Sequence, residues 1–122
     1  MEMHITYIPG YIRMISMIAC ATLIENWSLV TIQNAKGCLT RHVHGRVEIE
    51  GRYSTALVEI DLNTLTVETS PDRMDELIGP PGRDDDSQWL MGLAHTARGY
   101  RLIKNHLWSI MRLLRAMEKR HA

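Results

Sequence analysis

Residues 39–61 read LTRHVHGRVEIEGRYSTALVEID, and this stretch decides the fold that we expect of the chain. Apolar and polar residues alternate on both sides of Gly51 and Arg52, which is the pattern of two half-buried strands joined by a two-residue turn. Residues 29–33 and 64–69 show the same alternation, and short turn sequences separate them from the central pair. Four strands with such short connections predict an antiparallel meander that has one apolar face and one solvated face.

The apolar face of such a meander must be covered, and two segments are suited to this. Residues 11–25 are almost uncharged and predict a buried helix, although their isoleucine and threonine content leaves a strand open as an alternative. From about residue 87 to the end, apolar residues recur at seven-residue spacing and predict one long helix. A helix-start signal at Ser70 and Pro71 predicts a further short helix over residues 71–77.

The chain of 122 residues, with 45% hydrophobic and 23% charged residues, has the composition of one globular domain. Residues 79–87 are rich in Pro, Gly and Asp and predict a loop before the C-terminal helix. We therefore predict an α+β fold over residues 1–122. In this single two-layer domain, a four-stranded antiparallel β-meander has an N-terminal helix and a long C-terminal helix packed on one face.

The N-terminal apolar run bears on where the protein is located. Pro9 and Gly10 interrupt this run, and the stretch that follows is too short for a membrane span or a signal peptide. Cys20 and Cys38 are not spaced as a CxxC pair, and two cysteines do not make a disulfide framework. Free thiols in a reducing compartment are the simpler expectation, so we expect a cytoplasmic protein without membrane contact.

The charges are divided unevenly along the chain. Residues 1–97 contain 7 basic and 13 acidic residues, whereas residues 98–122 contain 7 basic residues and 1 acidic residue. If the second part is helical, its cations and one large aromatic side chain recur every three or four positions, on the face opposite the apolar residues. This predicted basic stripe consists of Arg98, Arg101, Trp108, Arg112, Arg115 and Lys119. Arginine and exposed tryptophan are enriched where protein interfaces concentrate their binding energy.

The solvated face of the predicted meander is acidic and offers a second candidate surface, made of Glu48, Glu50, Glu59, Asp61 and Glu68. His42 and His44 project from the same face, and a turn at Gly51 would set them opposite Asp61 and Glu59. Two imidazoles and two carboxylates could hold Zn²⁺, so a metal-dependent enzyme is one alternative. Cross-strand charge pairing on a flat, open sheet explains the same residues without a metal. We therefore expect no catalytic residue, no metal and no cofactor.

No motif in the chain indicates a reaction, because it has neither a Gly-rich phosphate loop after a strand nor a nucleophile elbow. We expect a small non-enzymatic inhibitor or adaptor, for instance a phage-type antagonist of a host defence complex. It would dock on a larger protein or ribonucleoprotein through the basic stripe or the acidic face. Nucleic-acid binding by the same stripe is the alternative, placed second because the net charge is zero. The chain would act as a monomer, or as a homodimer if the seven-residue spacing pairs two helices.

Overall fold

The computed structural model describes residues 22–70 and 73–121, which form seven strands and two helices. The elements in chain order are β1 (Leu23–Gln33), β2 (Leu39–Val47), β3 (Glu50–Tyr53), β4 (Glu59–Asp61), β5 (Thr66–Ser70), β6 (Arg73–Ile78), α1 (Asp85–Arg98), β7 (Arg101–Asn105) and α2 (Leu107–His121). Within these residues, no helix combines the length and the hydrophobicity needed to cross a membrane.

The eleven-residue strand β1 organises the sheet. Along one edge it pairs with β2 in antiparallel orientation. Its other edge is shared, because the first residues of β1 pair in parallel with β6 and the last residues pair antiparallel with β7. The sheet order is β3-β2-β1-β6-β5-β4, with β7 paired to β1 outside this path. The result is a mixed sheet.

The connection between β3 and β4 brings the two ends of this sheet towards each other. The Leu57 backbone N–H donates to the Arg41 carbonyl oxygen of β2 over 2.7 Å. One residue later, the Val58 backbone N–H donates to the Glu68 carbonyl oxygen of β5, also over 2.7 Å. The connection therefore bridges β2 and β5, and Leu57 packs against one face of the sheet, which we call the enclosed face.

The two faces of the sheet support separate apolar clusters. The enclosed face includes Ile24, Trp27, Leu29, Val43, Val67 and Leu77, and Ile110 of α2 packs against them. The outer face contributes Val30 and Ile32, which pack with Met91 of α1. Because Leu29 enters one cluster and Val30 and Ile32 enter the other, this part of β1 is buried from both sides.

An irregularity in β1 between Glu25 and Ser28 places a large aromatic side chain in the core. Asn26 has a φ angle of 48° at this point, a conformation that asparagine tolerates better than most residues. Trp27 is fully buried, and its indole Nε1 donates to the Gly79 carbonyl oxygen over 3.0 Å. The hydrogen bond from Trp27 therefore connects the segment before α1 to the centre of the sheet.

The predicted four-stranded antiparallel meander is wrong, because the sheet has seven strands and a parallel pair. The turn predicted at Gly51 and Arg52 lies instead at Glu48 and Ile49. Gly51 is part of β3, where a Cβ atom would collide with the backbone nitrogen of Ser87. Glycine is required at position 51 because α1 approaches the backbone closely there. The sequence pattern suggested a turn, but the glycine serves packing.

The predicted long C-terminal helix is also wrong. Gly99, with a φ angle of 71°, ends α1 in the left-handed conformation typical of a helix C-terminus. Residues 101–105 then form β7, because pairing with β1 satisfies their backbone. The short helix predicted over residues 71–77 is replaced by β6 over the described part of that segment. The predicted N-terminal helix lies mostly outside the described residues, and its last three residues, 23–25, belong to β1.

Candidate functional site

His42 and His44 lie beneath α1 and not on an open sheet face. The His44 side chain is 1% exposed, and its Nδ1 lies 2.8 Å from the Ser87 hydroxyl oxygen. Because Ser87 donates its own proton to the Asp84 carbonyl, the His44 Nδ1–H is the donor to Ser87. Burial lowers the pKa of His44 to about 4, although the nearby Asp84 carboxylate opposes this change. His44 is therefore a neutral, buried anchor for α1.

His42 is held by hydrogen bonds on both ring nitrogens. Its Nδ1 lies 3.0 Å from the Ser54 carbonyl oxygen and donates to it, and its Nε2 lies 2.8 Å from the Thr40 hydroxyl. Burial lowers the pKa of His42, the hydrogen bond to Ser54 opposes this, and the positive charge of Arg98 adds to the lowering. A neutral ring satisfies both partners, so His42 has no nitrogen left for a metal.

A row of aromatic rings continues from His42 along the underside of α1. The ring of Tyr53 lies 5.2 Å from His42 and 5.4 Å from His95, and Tyr100 lies 5.9 Å beyond His95. The Tyr53 hydroxyl and His95 Nε2 are 2.6 Å apart. Burial, with a contribution from Tyr100, raises the pKa of Tyr53 to about 12, so the phenol stays protonated and can donate to His95. These contacts pack α1 on the sheet.

The predicted pairing of the two histidines with Glu59 and Asp61 is wrong. His44 is registered with Tyr53 of β3, whereas Glu59 and Asp61 belong to β4 and pair with β5. The arrangement that suggested a metal-dependent enzyme is therefore not formed. Over residues 22–70 and 73–121, no three His, Cys, Asp or Glu side chains are grouped as a metal ion would require.

The N-terminus of α1 is fixed by one buried carboxylate. Asp84 accepts from the Ser87 backbone N–H over 2.8 Å and from Arg46 Nε over 2.7 Å. Burial opposes ionisation of Asp84, but the hydrogen bonds from Ser87 and Arg46 outweigh it and lower the pKa of the carboxyl group. Arg46 also reaches Asp86 over 2.9 Å. The helix cap at Asp84 and its ion pair with Arg46 thus hold the N-terminus of α1 against β2.

Replacing Asp84 with alanine is expected to destabilise the protein by at least about 1 kcal/mol, the usual value of a helix cap. Asp84→Asn keeps one oxygen that can accept from Ser87 but loses the charge and the second acceptor oxygen that faces Arg46, and because the cap is kept we expect a smaller effect. Urea unfolding of both variants at pH 7 measures the difference. Equal destabilisation by the two substitutions would show that the ion pair with Arg46, and not the cap, is the main contribution.

The predicted acidic face is divided between two separate parts of the sheet. Glu48 and Glu50 lie at the β2–β3 hairpin, and Glu50 approaches Arg52 at 3.9 Å. Glu59 and Glu68 are neighbours across β4 and β5. Asp61 accepts from the Asn63 and Thr64 backbone N–H groups, which stabilises the turn into β5. These carboxylates do not form one continuous surface.

The predicted basic stripe is partly preserved. Arg98 ends α1 and Arg101 begins β7, so these two residues do not lie on one helix with the others. The remaining residues are exposed and follow one another by four, three and four positions along α2: Trp108, Arg112, Arg115 and Lys119. Steps of three and four place side chains on one face of a helix. We call this set the α2 stripe.

The α2 stripe lies opposite the buried side of its helix. Leu107 and Ile110 are each 6% exposed, whereas the Trp108 side chain is 65% exposed. Within the described part of the chain, no carboxylate lies at ion-pair distance from Arg112, Arg115 or Lys119. An exposed indole is thus aligned with cations that form no ion pair with another described residue.

A second basic cluster was not predicted, because it depends on the register of three strands. Thr31 of β1 pairs with Arg41 of β2 on one side and with Lys104 of β7 on the other. His106, just before α2, places its Nε2 2.7 Å from the Thr31 hydroxyl. We call these four residues the basic row. Comparisons with protein families, with curated proteins and with solved structures find no match, so both surfaces are interpreted from this chain alone.

Proposed function

We propose that this chain is a non-enzymatic protein-binding module, an inhibitor or adaptor that contacts an acidic surface of a larger protein through the α2 stripe. The observation that supports this most directly is that Trp108, 65% exposed in the first turn of α2, shares one helix face with Arg112, Arg115 and Lys119. The apolar side of the same helix packs against the core, so packing among residues 22–70 and 73–121 does not explain the exposed indole.

Trp108 has the properties of an interface anchor. A tryptophan buries a large apolar area with few rotatable bonds, so its burial in a partner would be favourable at low entropic cost. Residues of this type often lose about 2 kcal/mol or more of binding free energy when truncated to alanine. The indole would therefore provide most of the affinity of the α2 stripe.

The cations of the α2 stripe determine which partner is favoured. Arg112 and Arg115 can each bind a carboxylate through two parallel hydrogen bonds, and Lys119 adds a third positive charge one turn further along α2. Acidic side chains on a protein would satisfy these groups. Nucleic acid would also satisfy them, but the zero net charge provides little long-range attraction to a phosphate backbone.

The proposed compartment is the cytoplasm. Cys38 is exposed and is not part of a disulfide bond. Exposed thiols persist in reducing compartments and are oxidised elsewhere. Trapping of Cys38 by an alkylating reagent added to intact producing cells would support this location, and its recovery only in oxidised form would contradict it.

The chain offers a matched pair of tryptophans for testing the interface. Trp108 on α2 is 65% exposed and Trp89 on α1 is 66% exposed, so truncation of either removes a similar solvated side chain. We expect Trp108→Ala combined with Arg112→Glu to reduce capture of the partner at least about tenfold, as loss of a hot-spot residue would. Trp89→Ala should leave capture unchanged. Both variants should keep the melting temperature of the parent protein.

Capture is measured by affinity purification from the native host after nuclease treatment, followed by mass spectrometry and binding of the purified partner. Loss of capture with Trp89→Ala and not with the Trp108 variant would show that α1 is the interface, and the proposal would be wrong. Loss of all captured protein after nuclease treatment would favour the nucleic-acid alternative, whose binding should also fall steeply with added salt.

A further inference from the structure

We propose that the basic row, Thr31, Arg41, Lys104 and His106, is a binding site for the phosphate group of a small ligand. This site is separate from the α2 stripe and does not depend on the protein-binding function. It lies at the end of the sheet where β2, β1 and β7 are adjacent.

The strand register places the cationic side chains on one face of the sheet. Directly paired residues of adjacent strands project from the same face, so Arg41 and Lys104 lie on the same side of the sheet as Thr31. Their Cα atoms are two strand spacings apart, about 10 Å. Both side chains are long enough to reach one group bound above Thr31. Arg101 is registered with Gln33, two residues further along β1, and adds positive charge to this face.

The basic row concentrates positive charge at this end of the sheet. In the part of the chain that the structure describes, no carboxylate lies at ion-pair distance from Arg41 or Lys104. The first turn of α2, which begins beside His106, also contains no acidic residue. The positive end of the helix dipole therefore adds to the same potential. A bound anion would remove this accumulation of like charge.

The pKa of His106 responds to the charges of the basic row. Its Nε2 can accept the proton of the Thr31 hydroxyl, which requires a neutral ring. Burial lowers the pKa of His106, and the positive charges of Lys104 and Arg41 lower it further. An anion bound between these cations would offset their effect. Phosphate binding should therefore raise the pKa of His106 and favour uptake of a proton.

Donor geometry favours phosphate over a simple carboxylate. The guanidinium of Arg41 offers a planar pair of donors from one side, and the ammonium of Lys104 offers a donor from the other. A tetrahedral oxyanion presents oxygens in both directions, whereas a carboxylate presents two oxygens in one plane. A cavity of about 350 Å³, lined by Thr31, Leu39, Thr40, Arg41 and Leu57, borders the row and could take a small organic group attached to the phosphate.

The test is an NMR titration with sodium phosphate at pH 7, with sodium chloride added to keep the ionic strength constant. We expect saturable shifts of the His106 ring signals and a rise in the pKa of His106. Arg41→Gln and Lys104→Gln should each weaken binding about tenfold, the effect of losing one charge-assisted hydrogen bond. Arg112→Gln, which removes a cation of the α2 stripe, is the matched control and should leave phosphate binding intact.

Phenyl phosphate identifies the source of the phosphate group. Tighter binding than inorganic phosphate, reduced to the phosphate level by Leu39→Ser at an exposed residue that lines the cavity, would support a phosphomonoester whose organic part occupies the cavity. Equal affinity would support a site for free phosphate. Shifts that chloride reproduces at equal ionic strength would overturn the proposal, as would shifts that both substitutions leave unchanged. Binding of oligonucleotides without any binding of phosphate or phenyl phosphate would also overturn it.

Discussion

Gly45→Ala is expected to destabilise the protein by about 3 kcal/mol, the upper part of the range for overpacked cores. A Cβ atom at this position would lie 2.5 Å from Ile24 Cγ2 and 2.7 Å from the Glu25 carbonyl oxygen. It would also lie 3.1 Å from Trp27 Cα, so two of its three nearest neighbours are backbone atoms that cannot rotate away. The strand irregularity that buries Trp27 would have to move. Urea unfolding monitored by tryptophan fluorescence measures the change.

Gly92→Ala is the matched control for this substitution. Gly92 lies within α1, and a Cβ atom there would meet nothing within 4 Å. Alanine favours the helix interior over glycine by about 1 kcal/mol, so the control should be neutral or slightly stabilising. If Gly45→Ala is tolerated as well as Gly92→Ala, β1 and β2 are not in the close contact described above, and the core around Trp27 needs another explanation.

The strands of this fold could be predicted from the sequence better than their partners. Alternating patterns in residues 29–33 and 64–69 lie within or overlap β1 and β5, because alternation is a local property. The partner of β1 on its second edge is β6 and then β7, and neither strand is adjacent to it in the sequence. Strand order is set by packing between distant segments, which no local pattern encodes.

β7 illustrates why one long helix was predicted. Ile103 fits the seven-residue spacing that continues to Ile110 and Met117, yet it is 45% exposed in β7. The periodicity arose from two separate helices and the strand between them. Gly99 was the sequence signal for the break, because a left-handed residue ends a helix and glycine adopts that conformation without strain.

The two candidate sites also differ in how far the sequence alone predicts them. The α2 stripe could be predicted in part, because Trp108, Arg112 and their neighbours are related by the geometry of one helix. The basic row could not be predicted, since Arg41 and Lys104 become neighbours only through their shared partner Thr31. The burial of His44 was missed for the same reason, because α1 covers it from a distant part of the chain.

Acidification from pH 7 to pH 5 is expected to destabilise the protein by about 2 kcal/mol through His44 alone. The pKa of His44 is about 4 in the folded chain, below its ordinary value of 6.5. A base with a depressed pKa stabilises the fold fully above pH 6.5, and this stabilisation is lost as the pH falls towards 4. Burial also lowers the pKa values of His42 and His95, so they add to the loss in the same direction.

We expect acidification to detach α1 from the sheet before any other element, because two of the titrating histidines lie between this helix and the sheet. His44 donates to Ser87 at the start of α1, and His95 near its end faces Tyr53. Protonation of His44 places a positive charge in a site that is 1% exposed, with Asp84 as the nearby carboxylate. Amide exchange in α1 should therefore accelerate between pH 7 and pH 5 more than exchange in β5 or β6, once the intrinsic pH dependence is removed.

His44→Gln separates this effect from general acid denaturation. A glutamine amide can still donate to the Ser87 hydroxyl but does not titrate, so the variant should be less stable at pH 7 and should lose less stability on acidification. His106→Gln removes another ring of lowered pKa, beside α2 and not beneath α1, so it should also reduce the acid-induced loss of stability but should leave the acid-induced amide exchange of α1 unchanged. Urea unfolding at pH 7, 6 and 5 gives the free energy of unfolding as a function of pH for the parent protein and for each of the two variants. A slope in His44→Gln equal to that of the parent protein would show that another group controls the acid response, since carboxylates with ordinary or lowered pKa values remain largely ionised in this range.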